Sequence, residues 1–177
     1  MLTGPNVVLR ARKPSDVEVL HRELYEDVAN RVRSDERPWV PVPVEQSTFR
    51  IREEYPDDVA IFTVAAPDTD EVLGSCLLWG IDRHNRAAHI GMGLVPSARG
   101  RGLGGETVRL LCDYGFRILG LNRIGIETLT DNDPMIRTAE SAGFVREGTQ
   151  REAGWVSGAM ADEAIYGLLA ADWQRGQ

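Results

Sequence analysis

The segment from residue 94 to residue 105 constrains this chain most, because four glycines fall within six residues just before a strongly patterned helix. These glycines are Gly100, Gly102, Gly104 and Gly105. The apolar stripe of the helix, at i, i+3, i+4, i+7, i+8 and i+11, consists of Val108, Leu111, Cys112, Gly115, Phe116 and Leu119. Such a turn presents free backbone N–H groups to an anion, and the helix dipole adds favourable charge. We therefore predict a phosphate-binding turn in which Arg99 and Arg101 add positive charge.

The chain before this turn predicts an antiparallel meander. Its three strand-like runs, separated by turn residues, are Val59–Ala66, Val72–Ile81 and Ala87–Leu94. Further upstream, the pattern predicts a strand over Asn6–Arg12, an amphipathic helix that begins at Pro14 and reaches Val28, and a short helix over Ser47–Tyr55.

After the long helix, which Gly120 ends, the pattern predicts a strand, a helix and two last strands. These are the strand Arg123–Thr130, a helix capped by Asp133 and reaching Ala142, and the strands Phe144–Arg151 and Ala161–Leu169. This order of elements predicts an α+β fold built on one mixed, mostly antiparallel sheet flanked by helices.

Length and composition indicate a single domain over residues 1–177, since 177 residues with 42% hydrophobic positions can bury one core and not two. The sequence has no signal-peptide pattern and no run of membrane-spanning length, so we expect a cytoplasmic protein without membrane contact. Cys76 and Cys112 have no CxxC spacing, so we expect neither a disulfide framework nor a metal site. The net charge of −7 argues against nucleic acid as a partner.

A phosphate-binding turn does not by itself identify the ligand. Gly100, Gly102 and Gly105 also satisfy the G-x-G-x-x-G fingerprint of dinucleotide-binding folds, and Glu127 stands where such folds place the acid that binds the ribose. Against this alternative, the turn follows a meander instead of a first strand, and too little chain remains for a nucleotide-binding sheet. No P-loop sequence is present.

In this region the sequence resembles the GNAT acetyltransferases. The stretch Arg99–Gly104 matches their R/Q-x-x-G-x-G/A signature, and its surroundings are similar to the RimJ/RimL-type branch. The matching positions outside the signature are His89–Pro96, Leu121–Arg123, Asp131–Asn132, Ala142–Phe144, Glu147–Gly148 and Asp162–Trp173. This resemblance covers nearly the whole chain after about Val59.

The resemblance implies a single GNAT-like domain in which the strand Ala87–Leu94 splays from the strand Arg123–Thr130. Acetyl-CoA would bind in the resulting slot as cosubstrate. Its pantetheine arm would pair with the backbone of Met92, Gly93 and Leu94, and an N–H there would polarise the thioester carbonyl. The backbone amides of Gly100, Arg101, Gly102, Leu103, Gly104 and Gly105 would take the pyrophosphate. Asn132 would hydrogen-bond the arm, and its alternative role is that of a turn or cap residue.

The candidates for proton transfer are His89 and Glu127. No cysteine is placed beside a base, so we expect direct attack of an amine on the thioester, with His89 as general base because it shares a strand face with Gly91 and Gly93. Glu127, on the facing strand, is the second candidate. Each has an ordinary structural alternative, a satisfied strand histidine or a salt bridge. Where relatives carry a Ser or Tyr to protonate the thiolate, this chain has Met135 and Ala139, so water or Tyr166 is left for that step.

These observations predict an acetyl-CoA-dependent N-acetyltransferase that acts on a primary amine, either the N-terminus of a protein or peptide or a small molecule. We expect the segments 31–43 and 154–159 to line the acceptor side. Two alternatives stay open: an acyl-CoA sensor that binds without turnover, and the dinucleotide-dependent oxidoreductase. The sequence also leaves a homodimer open, since no exposed stripe specifies an interface.

Overall fold

One open sheet organises the molecule, and a computed structural model describes it over residues 1–35 and 37–176. Within these residues, eight strands lie in the order β1-β2-β3-β4-β5-β6-β8-β7. Every neighbouring pair is antiparallel except β5 and β6, which run parallel. The strands are β1 (Leu2–Thr3), β2 (Val8–Arg10), β3 (Ala60–Ala65), β4 (Val72–Asp82), β5 (Ala87–Leu94), β6 (Arg123–Leu129), β7 (Val145–Val156) and β8 (Ala159–Leu169). The predicted mixed, mostly antiparallel sheet is confirmed.

Five α-helices are seen in the described residues, two of them extended by a π-helical turn. They are α1 (Pro14–Leu20, continued by His21–Tyr25), α2 (Val28–Ser34), α3 (Leu103–Asp113, continued by Tyr114–Ile118), α4 (Asp133–Ser141) and α5 (Ala170–Arg175). Short 3-10 turns occupy Val44–Gln46 and Pro96–Ala98.

Helices cover both faces of the sheet near β5, because successive strand residues point to opposite faces. On one face, Gly93 lies against Leu24, which belongs to the turn that continues α1. On the other face, the Met92 side chain approaches Gly104 in α3. The first of these faces carries the candidate catalytic side chains and is called the acceptor face below.

The predicted splay of β5 from β6 is present. The two strands pair over three positions only, Ala87 with Arg123, Ala88 with Ile124 and His89 with Gly125. Beyond His89, β5 continues for five residues and β6 for four without pairing to each other. The sheet therefore opens as a V whose apex lies at His89 and Gly125.

The apolar stripe of α3 anchors the glycine turn to the core. Val108, Leu111 and Cys112 are fully buried, as the spacing predicted, and they belong to one cluster with Ile124 and Ile126 of β6. Full burial of a side chain of this size stabilises the fold by about 1.5–3 kcal/mol. The start of α3, where the glycine turn ends, is thus fixed by packing further along the helix.

Several predicted elements differ in the structure. The N-terminal helix does not continue to Val28: it ends near Glu26, and the side chain of Asp27 accepts a hydrogen bond from the Asn30 N–H and caps a second helix. The helix predicted over Ser47–Tyr55 is wrong, since this stretch is irregular. Asn132, and not Asp133, caps α4.

At the two ends of the chain, the sequence prediction was incomplete. The strands β7 and β8 are longer than predicted, so residues 154–159 form the end of a hairpin and not a loop. The strand β1 and the helix α5 were not predicted. No helix in the described parts of the chain is long and apolar enough to cross a membrane.

Candidate active site

The glycine turn has the backbone geometry that anion binding requires. Gly100 and Gly102 have φ angles of 73° and 76°, in the left-handed region where glycine is favoured. Gly102 is the N-cap residue of α3, and no side chain caps this helix end. The first N–H groups of a helix have no partner within the helix. Those of Leu103, Gly104 and Gly105 are therefore available to a ligand.

The space beside three glycines of this turn is open. A Cβ atom built on Gly100, Gly102 or Gly105 would have no protein atom within 4 Å. The backbone can therefore approach a ligand closely there, and larger side chains would occupy the ligand's place. N–H donors at a helix N-terminus and the helix dipole suit an anion such as the pyrophosphate of a CoA thioester, and its binding at this turn stays a prediction.

The two arginines of the turn differ in orientation. The Arg99 side chain points back: its Nε donates to the Leu94 carbonyl at 2.9 Å, and its Nη2 lies 3.5 Å from an Asp27 carboxylate oxygen. Arg101 is exposed and has no carboxylate partner among the described residues. Of the two predicted phosphate contacts, Arg101 has the free side chain, whereas Arg99 is already engaged in linking the turn to β5 and α2.

The backbone of β5 offers hydrogen-bonding groups to the V-shaped slot at alternate residues. The Val95 N–H donates to the Leu73 carbonyl of β4 at 2.9 Å. Because the backbone groups of a strand face its two neighbours at alternate residues, the N–H and C=O of Gly93 also face β4, whereas those of Met92 and Leu94 face the slot. This corrects the prediction that all three residues would pair with a pantetheine arm. For Met92 and Leu94, pairing with a pantetheine arm stays a prediction. Gly93 has no side chain to occupy the acceptor face.

Asn132 lies three residues beyond the end of β6 and caps α4. Its side-chain oxygen accepts a hydrogen bond from the Met135 N–H at 3.4 Å, and its Nδ2 donates to the Thr128 hydroxyl at 2.9 Å. Asn132 therefore has the role of a cap residue, which was the alternative to a contact with the cosubstrate. A contact from Asn132 to the cosubstrate stays a prediction.

His89 and Glu127 meet at the apex of the V. The Nδ1 atom of His89 lies 3.0 Å from the Oε1 atom of Glu127, and each side chain is about one-third exposed, at 35% and 30%. The two groups are not aligned as a hydrogen bond, so Nδ1 is buried without a formed bond in this state. Catalytic hydrogen bonds are often poorly aligned in free enzymes and tighten on substrate binding. The structure thus places both predicted residues in one pair.

Two residues that sequence reasoning missed touch this pair. The Trp79 indole stacks on the His89 imidazole, with ring centroids 4.6 Å apart. Gly125 lies directly beside the same ring, because a Cβ at this position would be 2.8 Å from Nδ1. The signal that finds them is strand register, since Trp79 and Gly125 are the partners of His89 on β4 and β6.

No side chain that could protonate a leaving thiolate was found at the positions where relatives carry one. Ala139 is fully buried, and Met135 is half-buried in the core. The Tyr166 hydroxyl donates to Glu140 at 3.1 Å. Burial, and then this bond to a carboxylate, raise the pKa of Tyr166, which makes it a poorer proton donor. Water is the remaining donor of those considered.

The structure removes the basis of the dinucleotide alternative. The glycine turn follows β5, the fifth strand, and the described residues contain a single parallel strand pair. A dinucleotide-binding sheet needs successive parallel strands with helices between them. In the same described ranges, no group of three or more His, Cys, Asp or Glu side chains is arranged to hold a metal ion.

Comparison with known proteins gives a consistent result. Residues 6–145 match the model of the acetyltransferase (GNAT) domain. The chain is 36% identical over 112 residues to an uncharacterized N-acetyltransferase, p20, of Bacillus licheniformis, a match that spans 63% of each chain and therefore just under two-thirds of that relative. It is 25% identical over 160 residues to the spermidine N(1)-acetyltransferase of Vibrio cholerae, covering 88% of both chains.

A solved structure shows the same fold. The spermidine N-acetyltransferase of Vibrio cholerae, in complex with CoA and spermine, superposes with a TM-score of 0.84 and 22% identity, covering 97% of this chain and 99% of that one. At this identity the likeness speaks for the fold alone. The family match covers well over half of the chain, and on that basis this chain belongs to the GNAT acetyltransferase domain family.

Proposed function

We propose that this chain is an acetyl-CoA-dependent N-acetyltransferase that transfers the acetyl group directly to a primary amine. One observation carries the proposal: the sheet opens at the point where His89 and Glu127 meet, so two side chains that can accept a proton lie at the apex of the slot. A structural neighbour solved in complex with CoA, the match to the acetyltransferase (GNAT) domain and the geometry of the glycine turn support acetyl-CoA as the cosubstrate. The motifs around residues 89–96 and 142–148 favour the RimJ/RimL-type branch.

In the proposed reaction, the amine nitrogen attacks the thioester carbonyl carbon, a C–N bond forms and the C–S bond breaks. Before the attack, His89 removes one proton from the substrate ammonium, directly or through one water, and Glu127 stabilises the imidazolium that results. The second proton that the nitrogen loses as the amide forms passes to water. The N–H of Met92 or Leu94 stabilises the oxyanion, a type of contact that is worth about 3–4 kcal/mol in other acyl transfers. The thiolate takes its proton from water.

For the acceptor, we propose a cationic small molecule with a primary amine. The spermidine N(1)-acetyltransferase supports this class, because the two chains align over 88% of their lengths. The net charge of −7 favours a cationic ligand. An exposed acidic segment, which carries Glu53, Glu54, Asp57 and Asp58, joins the sheet close to Trp79: the main-chain carbonyl of Asp58 accepts the Ile81 N–H at 2.9 Å, two residues beyond Trp79.

Two measurements test this function. The first compares thermal unfolding with acetyl-CoA, CoA and NADH, since a ligand that binds the native state raises its stability with concentration. We expect stabilisation by the two CoA species and none by NADH. Stabilisation by NADH alone would contradict the proposed cosubstrate.

The second measurement follows CoA release, corrected for acetyl-CoA hydrolysis, with spermidine and with a short peptide that has a free α-amine. We expect faster release with spermidine. Faster release with the peptide would replace the small-molecule acceptor by a protein N-terminus. Binding of acetyl-CoA without release for any amine of a broader panel would favour the acyl-CoA sensor.

A further inference from the structure

We propose that Trp79 and Gly125 are positioning residues that clamp the His89 imidazole between three strands and aim its Nε2 at the acceptor. This inference rests on the proposed function, because it assigns a task to the base named there. It concerns residues on β4 and β6 that flank the histidine of β5.

The clamp follows from register on the acceptor face. His89 pairs with Trp79 of β4 on one side and with Gly125 of β6 on the other. Partners in a sheet project their side chains to the same face, so the three residues form one row across the apex of the V. The row holds a flat indole, an imidazole and a residue without a side chain.

On the β4 side, the imidazole stacks on the indole of Trp79. The ring centroids of Trp79 and His89 are 4.6 Å apart, and the planes are inclined by 26°, which is a stacked arrangement. The indole is kept beside the strand, since a Cβ on Gly91 would already come within 3.6 Å of its Cδ1 atom. Trp79 is 40% exposed, so its indole lies at the surface beside His89 and is not part of the buried core.

On the β6 side, the ring occupies the space that a side chain would take. A Cβ on residue 125 would lie 2.8 Å from Nδ1, 3.2 Å from Cε1 and 3.6 Å from Cγ of His89. Any residue other than glycine would therefore displace the ring. Both neighbours, with Glu127 close to Nδ1, restrict rotation of the imidazole.

As a consequence, the two ring nitrogens of His89 have different surroundings and different roles. Nδ1 is buried beside the Glu127 carboxylate without a formed hydrogen bond, whereas Nε2 is not one of the buried side-chain atoms that lack a partner, and the His89 side chain as a whole is 35% exposed. We infer that Nε2 is the ring nitrogen that faces the acceptor. A carboxylate beside Nδ1 favours the neutral tautomer with its proton on Nδ1. Nε2 then carries the lone pair that accepts the amine proton.

The test is a double-mutant cycle with Trp79→Leu, Trp79→Phe and Gly125→Ala, each made in the wild-type and in the His89→Ala background. Initial rates give kcat and KM with the best acceptor of the amine panel. We expect Trp79→Leu to lower kcat by about 2- to 12-fold, the equivalent of an aromatic pair, with KM for acetyl-CoA unchanged. Trp79→Phe, which keeps a flat ring, restores most of the rate.

Gly125→Ala is expected to lower kcat by about 10- to 100-fold, because a displacement of about 1 Å can have this effect on a catalytic group. In the His89→Ala background, both Trp79→Leu and Gly125→Ala should change kcat by less than about twofold, since coupled residues are non-additive. Equal losses in both backgrounds would show that the two residues act by another route and would overturn the clamp.

A spectroscopic readout separates the clamp from the assignment of the base. In the ¹⁵N spectrum of histidine-labelled protein, wild-type His89 should show one tautomer, protonated at Nδ1, and the Trp79→Leu and Gly125→Ala variants an average of two. Unchanged spectra in both variants would contradict the clamp alone. A His89→Ala enzyme with the wild-type kcat would instead refute His89 as the base, and with it any positioning role in catalysis.

Discussion

Glu106 of α3 accepts the backbone N–H of Asn6 at 2.8 Å and thereby ties the N-terminal turn to the helix that follows the glycine loop. The same carboxylate accepts the Val7 N–H at 3.1 Å and the Asn6 side-chain amide at 3.0 Å. One side chain in the first turn of α3 thus satisfies three donors from a segment one hundred residues earlier in the chain.

We expect Glu106→Ala to lower the free energy of unfolding by about 1–3 kcal/mol, because it leaves the partly buried N–H of Val7 without an acceptor. Urea titration followed by circular dichroism measures this change. Glu106→Gln is the matched control: it keeps an oxygen for the backbone donors, so its free energy of unfolding should fall clearly less than that of Glu106→Ala. Equal stability of the alanine variant and the wild type would show that the N-terminal turn is held by other contacts.

The glycine turn gives a second prediction. Gly102→Val should abolish stabilisation by acetyl-CoA in a thermal-unfolding assay, because a branched side chain would occupy the space that a Cβ now finds empty. The variant should still fold, at a cost of about 1–2 kcal/mol for a non-glycine residue at positive φ.

Gly120→Val is the control for this backbone cost. Gly120 has a φ angle of 69°, similar to the 76° of Gly102, and its Cβ would also meet no atom within 4 Å. It lies beyond the far end of the same helix, so Gly120→Val should lose stability and keep the acetyl-CoA response. A normal response in a folded Gly102→Val protein would remove the pyrophosphate from this turn.

The sequence predicted the elements whose patterns are local. The bounds of β5 agree with the prediction at both ends, and the buried stripe of α3 is the one that the spacing indicated. Both signals come from periodicity within a dozen residues. The splay between β5 and β6 was predicted from the family resemblance and not from any pattern within these strands.

Where long-range contacts decide the structure, prediction from the sequence failed. Residues 47–55 have a helix-like composition, but the Arg12 guanidinium donates to the Phe49 carbonyl at 3.1 Å and to the Ser75 hydroxyl at 2.6 Å, which holds the segment against the sheet as a loop. Likewise, His89 and Glu127 were each placed on a strand, but their 3.0 Å approach depends on a parallel register that no local pattern encodes.

A third prediction concerns stability and pH. Asp16 is buried and accepts two hydrogen bonds from the Arg10 guanidinium, at 2.6 and 3.1 Å. Burial alone would raise the pKa of Asp16, but the bonds from Arg10 and from the Lys13 N–H outweigh it and hold this pKa below its usual range. The folded protein therefore binds this proton less readily than the unfolded chain does.

The stabilisation by Asp16 is accordingly present above the ordinary carboxyl pKa, about 3.9, and is lost as the pH falls through the lower folded value. We expect Asp16→Asn to lower the free energy of unfolding by about 3 kcal/mol at pH 7, as breaking a buried ion pair does. The difference from wild type should shrink below pH 4. Asp70→Asn removes the exposed partner of Arg10 and should cost less. If the difference in unfolding free energy between Asp16→Asn and wild type did not change with pH, the lost stability would come from packing and not from the charge of Asp16.

The last prediction concerns the candidate base at the apex of the V. His89→Ala should lower kcat by about 10²- to 10⁴-fold near neutral pH, the usual contribution of a well-placed general base. The loss should diminish at high pH, because an alkyl ammonium titrates near the lysine value of about 10.4 and the free amine then needs no base.

Glu127→Gln keeps the shape and removes the charge, so it should reduce kcat less than His89→Ala does. His84→Ala changes an exposed turn histidine and serves as the control. The measurement is the pH–rate profile of kcat from pH 6 to 10 for all four proteins, and an unchanged profile in His89→Ala would remove this residue from proton transfer and leave water in the slot to accept the proton.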